Sequence, residues 1–230
     1  MMQRSGGRIL IDELVGHGIR RVFGVPGESY LDALDAMHGR NDIDFVICRQ
    51  EGGAAMMAEA HGKLTGRPGV CFVTRGPGAT NASSGVHVAE QDSTPLVLFV
   101  GQVGTDMLGR GAFQEVDYQD FFGGMAKRVF QLAPGDDPAE VVSTAFHIAL
   151  SDRPGPVVVA LPEDLQGDLP ADLPDVRPQP PLVATPTEQE LASLRDALIS
   201  ASTPMLLAGG SGWTADGVSR LQQLCEQLAL

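Results

Sequence analysis

One carboxylate stands where this chain has the means to do chemistry. Glu51 lies in Cys48-Arg49-Gln50-Glu51-Gly52-Gly53-Ala54-Ala55, where an apolar strand pattern gives way to an Ala/Met-rich helical one. Taken alone, it reads as a helix-start acid favoured by the helix macrodipole. Its surroundings point further. Gly24-Val25-Pro26-Gly27-Glu28 precedes it after another short strand, and Thr74-Arg75-Gly76-Pro77-Gly78-Ala79-Thr80-Asn81 follows it after a third. Three strand ends, each with a tight loop, converge on one edge of a sheet with Glu51 among them. In open α/β sheets that edge is where ligands bind.

Other residue sets carry weaker chemistry. A Gly-rich turn entering a helix, such as Gly76 to Asn81, can hold phosphate, but no GxxxxGK[ST] pattern is present. Gly209-Gly210-Ser211-Gly212 is not GxGxxG and reads as a tight strand-to-helix turn. His17, His38, His61, His87 and His147 have no metal-ligand spacing and read as solvated or packing residues. Cys48, Cys71 and Cys225 are odd in number and far apart, so they read as reduced packing residues of a cytosolic protein.

The totals exclude several partners. A net charge of −13, with Lys and Arg not clustered along the chain, disfavours nucleic acid and an anionic membrane surface. No apolar run is long enough to span a bilayer. Met1-Met2-Gln3-Arg4-Ser5-Gly6-Gly7 lacks the apolar core of a signal peptide. A cytoplasmic location is expected.

The elements that must position Glu51 alternate. A helix over Arg8 to Val15 stops at Gly16 and Gly18; Arg21-Val22-Phe23 is a strand; Tyr30, Leu31, Leu34 and Met37 mark a helix face. Phe45-Val46-Ile47-Cys48 is a strand, then Gly52 to Leu64 a helix with small residues for close packing, in the core or at a subunit contact. Val70 to Thr74, Leu96 to Val100 and Pro156 to Leu161 are continuous apolar strands, the kind buried on both faces of a parallel sheet. Ala79 to Ala89 and Pro138 to Leu150 are helices, and Ala126 to Phe130 is a strand. Gly101 to Gln114 is a Gly-rich loop without a period. The expected fold is α/β, a mostly parallel sheet with helices on both faces.

Residues 1–165 form this domain. Residues 166–186 read as a Pro-rich linker, with seven prolines between Pro162 and Pro186. Residues 187–230 read as the incomplete start of a second α/β domain: a helix opened by a Thr187/Glu190 capping box, a strand over Pro204 to Ala208, and a helix from Ala215 to Leu230.

Several of these segments resemble a known family. Phe23 to Gly27, Arg49 to Ala55, Gly76 to Asn81, Asp92-Ser93-Thr94-Pro95 with Gly101-Gln102-Val103, Ala112-Phe113-Gln114-Glu115 and Arg153-Pro154-Gly155-Pro156-Val157 occur in order. Together they resemble the N-terminal, pyrimidine-binding domain of thiamine-diphosphate enzymes related to acetolactate synthase, from Arg8 to about Gln166, followed by the opening of their central domain. The resemblance implies that Glu51 hydrogen-bonds the pyrimidine N1′ and drives the ring into its imino tautomer, whose nitrogen takes the C2 proton of the thiazolium. Val25, Pro26 and Gly27 would bound the pyrimidine pocket, with Thr74, Pro77, Gly78 and Asn81 forming the loop nearest Glu51. Phe113 and Gln114 would face the substrate side; read without the resemblance, they are an ordinary loop aromatic and a solvated amide.

The same resemblance implies a small 2-oxo acid substrate, and an active site shared with a second copy of the subunit. It also implies magnesium held with the diphosphate by a C-terminal GDG segment; no GDG triplet occurs here. Some members bind FAD through the central domain, so FAD is admitted. Relatives usually carry His where Gln50 stands, and glycine where Glu28 stands, which bears on the substrate more than on the cofactor. The isolated chain is expected to be an inactive piece of a longer enzyme. Two other readings stay open: a non-catalytic dimerisation module of the same fold, and a nucleotide-binding α/β protein.

Overall fold

The structure, a computed structural model, describes residues 4–169, 184–210 and 212–228. The chain divides into two compact units, Met1–Leu182 and Val183–Leu230. The first unit opens with β1 (Arg4–Ser5) and α1 (Gly6–Gly16), followed by β2 (Arg21–Gly24), α2 (Leu31–Met37), β3 (Asp44–Ile47), α3 (Glu51–Thr65), β4 (Gly69–Val73) and α4 (Pro77–Gln91). Then come β5 (Leu96–Gln102), α5 (Tyr118–Phe122), β6 (Arg128–Gln131), α6 (Pro138–Leu150), β7 (Pro156–Pro162) and β8 (Asp168–Leu169).

Six strands form one all-parallel sheet in the order β3-β2-β4-β5-β7-β6. Every residue of β4, β5 and β7 is buried, as continuous apolar runs require when both sheet faces are covered. Alternation sorts their side chains. Val70, Phe72, Val97, Phe99, Val157 and Val159 share a core with Leu10, Leu14, Ala33, Met37, Val142 and Phe146 of α1, α2 and α6. Cys71, Val73, Leu98, Val100, Val158 and Ala160 share another with Ala55, Ala58, Ala82, Val86, Tyr118 and Phe122 of α3, α4 and α5. The first core is aromatic at its centre, with Phe72 and Phe99 stacked at 4.7 Å. The second is lined by small residues, which lets α3 and α4 approach closely. At Gly85 a Cβ would stand 2.5 Å from the Ala55 Cβ, so only a hydrogen fits.

Some expectations need correction. Residues 166–169 do not open a linker; they belong to the first unit. Gly6 and Gly7 donate their amides to Gly167 and Gln166 carbonyls at 2.7 and 2.8 Å, and β8 pairs antiparallel with β1. Backbone pairing overrides the polar, Pro-flanked composition there. Of the rest of the expected linker, 170–183 lie outside the described residues, and 184–186 are exposed and without secondary structure.

In the second unit, α7 (Glu188–Ser200) starts with the expected capping box and α8 (Ala215–Leu228) follows. The expected strand Pro204 to Ala208 is absent: Met205 and Leu207 are 89% and 93% exposed, and no strand is described there to pair with them. Ser211 of the expected turn lies outside the described residues.

Gly85→Ala gains about 1 kcal/mol of helix propensity but overpacks against Ala55 by roughly 1–3 kcal/mol, so a net loss is expected. Gly53→Ala, with nothing within 4 Å of the added carbon, is expected to gain about 0.5–1 kcal/mol. Urea midpoints read both signs.

A second test concerns Glu13. Burial, and then the charge of Asp137, raise its carboxyl from the ordinary 4.5 to about 7, and its Oε1 lies 3.2 Å from His17 Nε2. The folded state keeps a proton that the unfolded chain releases, so this contribution is present below about 4.5 and lost as pH rises to about 7. Burial lowers His17, which acts in the opposite sense. Replacement of Glu13 alone isolates the effect: the melting temperature of Glu13→Gln relative to the parent is expected to be higher at about pH 8 than at about pH 5.

Candidate functional site

Strand order creates the site. Residues of α2 after β2 pack in the core with α1 and α6, while residues of α4 after β4 pack in the opposite core with α3. β2 and β4 are neighbours, so their loops leave in opposite directions and open a crevice between them at the carboxyl edge. This is the switch point where ligands enter open α/β sheets. Glu51, at the start of α3, enters from β3 on the far side of β2.

Glu51 is the first residue of α3. Gln50 caps the helix, its Oε1 accepting from Gly53 N at 2.9 Å. The Glu51 side chain is half-buried, and its Oε2 accepts from Asn81 Nδ2 at 2.9 Å. Asn81 sits in the first turns of α4, so two helix starts meet through one hydrogen bond. Glu51 Oε1 makes no hydrogen bond among the described residues. Burial first, then Cys71 and Glu51, push the Tyr30 phenol above its ordinary range. Burial first, then Cys48 and Glu51, push the Cys71 thiol up likewise.

The Val25-Pro26-Gly27 loop lies against Thr74. A Cβ on Gly27 would stand 2.6 Å from the Thr74 Cβ. The Val25 carbonyl accepts from the buried Tyr30 hydroxyl. Thr74 Oγ1 shares a hydrogen bond with Ser29 Oγ at 2.9 Å. Gly78 is buried against Thr74, while Pro77 is exposed as the first residue of α4. Thus Val25, Gly27, Thr74 and Gly78 form one contact group, and Asn81 joins Glu51.

Gln114 belongs near this group. Its φ is +63°, unusual for a residue with a side chain, and its carbonyl would stand 2.6 Å from a Cβ on Gly76, where φ is +35°. Phe113 is 74% exposed, with no described aromatic partner.

Sequence reasoning missed what holds these turns. The Tyr118 hydroxyl accepts from Gly76 N at 3.0 Å and donates to the Gly101 carbonyl at 3.1 Å. Burial pushes this phenol up to about 12. Arg75 is buried between two glutamates; its signal was a charged residue at the end of an otherwise apolar strand. Ser29 and Tyr30 gave no signal beyond helix periodicity. A cavity of about 590 Å³, lined in part by Gln102, Tyr118 and Gln131, opens beside the 108–117 loop and the start of α5, and Glu51 is not among its lining residues.

The family profile "Thiamine pyrophosphate enzyme, N-terminal TPP binding domain" matches residues 4–121. The chain belongs to the thiamine pyrophosphate enzymes. It is acetolactate synthase-like: 38% identical to the acetolactate synthase isozyme 3 large subunit of Escherichia coli (strain K12), over 100% of this chain and 41% of that protein. It is 36% identical to the acetolactate synthase large subunit of Haemophilus influenzae, again over 100% and 41%. The figure is 34% for the Corynebacterium glutamicum large subunit, over 96% and 36%. The chain spans about two fifths of the length of the curated relatives it matches.

The residues present fit a nitrogen heterocycle such as that of thiamine pyrophosphate: the Glu51 carboxylate is fixed through one oxygen, and its other oxygen makes no hydrogen bond among the described residues. They do not supply a metal site: among the described residues no group of three or more His, Cys, Asp and Glu can hold an ion. No described helix is long and apolar enough to cross a membrane.

Loss of the Tyr118 hydroxyl should be costly. Tyr118→Phe strips a partner from two buried backbone groups and is expected to destabilise the unit by roughly 1–3 kcal/mol, read from denaturant midpoints.

Proposed function

We propose that this chain is the N-terminal part of a thiamine-diphosphate-dependent lyase or transferase acting on a small 2-oxo acid, of carboligase or decarboxylase type. Residues 1–165 with the paired segment after them form the pyrimidine-binding domain, and residues 187–230 begin the central domain. The observation that carries the reading is Glu51, held at its helix start by Asn81, with Oε1 making no hydrogen bond among the described residues. The bound cofactor would supply a nucleophilic carbon that adds to the carbonyl of the 2-oxo acid.

The chain's own residues do the rest. Glu51 would hydrogen-bond the pyrimidine and hold or pass a proton at its carboxylate, with Asn81 fixing its orientation. Val25, Pro26 and Gly27 would bound the pyrimidine pocket, with Thr74, Pro77 and Gly78 in the neighbouring loop nearest Glu51. Gln114 lies on the substrate side, and Phe113 reaches that side from the loop. Neither the dimerisation-module nor the nucleotide-binding reading gives a reason for a carboxylate oriented in this way.

The reading includes a second copy of the subunit across the active site. The exposed α3 face carrying Gly53, Met56, Met57, Ala60 and Leu64 is consistent with a partner. Magnesium and the diphosphate would be held by a C-terminal segment of the longer chain, and FAD, if used, mostly beyond residue 230. The location would be cytoplasmic, in keeping with the free Cys48, Cys71 and Cys225. The isolated chain would be inert.

The test is exchange of the cofactor C2 proton in the full-length protein. Glu51→Gln is expected to slow it by roughly 10²-fold or more, the upper part of general acid–base effects being at stake, with thiamine diphosphate still bound. Unchanged exchange would remove Glu51 from the role. Turnover of pyruvate by residues 1–230 alone, at a rate like that of full-length enzymes, would overturn the claim that this piece is inert.

A further inference from the structure

A charged clamp joins three strand ends around this site, and nothing in the proton transfer above uses it. Arg75 follows β4 and is 8% exposed. Its Nη2 donates to Glu28 Oε1 at 3.0 Å and its Nη1 to Glu163 Oε2 at 2.9 Å. Glu28 opens the 3-10 turn after the Val25-Pro26-Gly27 loop, and Glu163 opens the one after β7. One guanidinium therefore ties the ends of β2, β4 and β7 together.

An arginine beside a 2-oxo acid site has an obvious alternative task, taking the substrate carboxylate. The geometry argues against that here. Each terminal nitrogen already donates to a glutamate, the Nε is buried without a hydrogen bond among the described residues, and the two glutamates outweigh the single positive charge, so a third anion would be repelled. A plain surface ion pair would add little, yet this arginine is buried and its neighbours are the site itself. The Arg75 amide donates to Ser29 Oγ at 3.3 Å, and the same Ser29 oxygen hydrogen-bonds Thr74. Gln166, next to the Glu163 turn, donates to the Ser29 carbonyl at 2.9 Å. Loop, strand end and turn thus share one hydrogen-bonded plate, and Arg75 is its only charged cross-tie among the described residues.

We propose that Arg75 is a positioning residue: by holding Glu28 and Glu163 together, it keeps the Val25-Pro26-Gly27 loop seated against Thr74, at the spacing from Glu51 that a bound aminopyrimidine needs. This rests on the pyrimidine-pocket reading given above. It also gives Glu28 a task that a glycine there could not perform.

The test uses the full-length protein with Arg75→Met, Arg75→Lys and Glu28→Gln. Amide hydrogen exchange of the 25–31 segment is followed without ligand, and thiamine diphosphate affinity is measured by titration. Arg75→Met is expected to speed exchange in that segment by about tenfold or more, leaving β5 and β7 unchanged. It should also weaken the cofactor by about tenfold or more. Arg75→Lys, which can still reach one glutamate, regains part of both losses. A purely structural role would instead lower the melting temperature in Arg75→Met and Arg75→Lys alike, without singling out this loop.

Unchanged exchange in Arg75→Met would show that there is no clamp. Faster exchange with unaltered affinity would overturn the positioning role. A parent protein that ignores thiamine diphosphate would sink the pyrimidine reading, and with it the task assigned to Arg75, while the exchange result still decides whether the clamp exists. Should Arg75→Met fail to fold, Glu28→Gln, at an exposed carboxylate, decides by the same two readouts, with about a threefold loss of affinity expected.

Discussion

The hydrogen bond between Asn81 and Glu51 joins the starts of two helices, and the arrangement of the first unit is what lets them meet. α3 and α4 lie side by side only because their facing residues are alanine and glycine. Larger side chains would push the helices apart and take Asn81 out of reach of the carboxylate. The small-residue character of the second core is therefore a condition on the site, not only a packing choice.

Below that bond, the sheet supplies a rigid edge. β4, β5 and β7 are buried on both faces, so their carboxyl ends move little relative to one another. Polar groups at that edge are then linked across strands: Ser29 to Thr74, Tyr118 to Gly76 and Gly101, Gln166 to Ser29. Each link satisfies a group that would otherwise be costly to bury. The loops of the site are Gly-rich, yet hydrogen bonds at Val25, Ser29, Thr74, Arg75 and Gly76 hold them.

Much of this was legible in the sequence for simple reasons. Continuous apolar runs give buried parallel strands, and Val70, Leu98 and Val158 behave accordingly. Glu51 and the two Gly-Pro turns were readable because strand-to-helix junctions mark the carboxyl edge of an α/β sheet. What failed depended on partners remote in sequence. Pro204 to Ala208 has strand composition but no neighbouring strand to pair with among the described residues. Residues 166–169 have linker composition but find backbone partners in Arg4 to Gly7. Arg20, Arg21 and Arg67 come together with His61 around a cleft of about 460 Å³, a gathering that spacing along the chain does not show. Arg75 was visible as a residue, yet its partners lie 47 and 88 positions away.

The most direct measurement is a titration of the full-length protein with thiamine diphosphate, followed by NMR at the Glu51 side-chain carboxyl carbon and the Asn81 side-chain amide. Both signals are expected to shift together and saturate at the same ligand concentration. Saturable binding that leaves these two signals unmoved would place the cofactor elsewhere and contradict the site described.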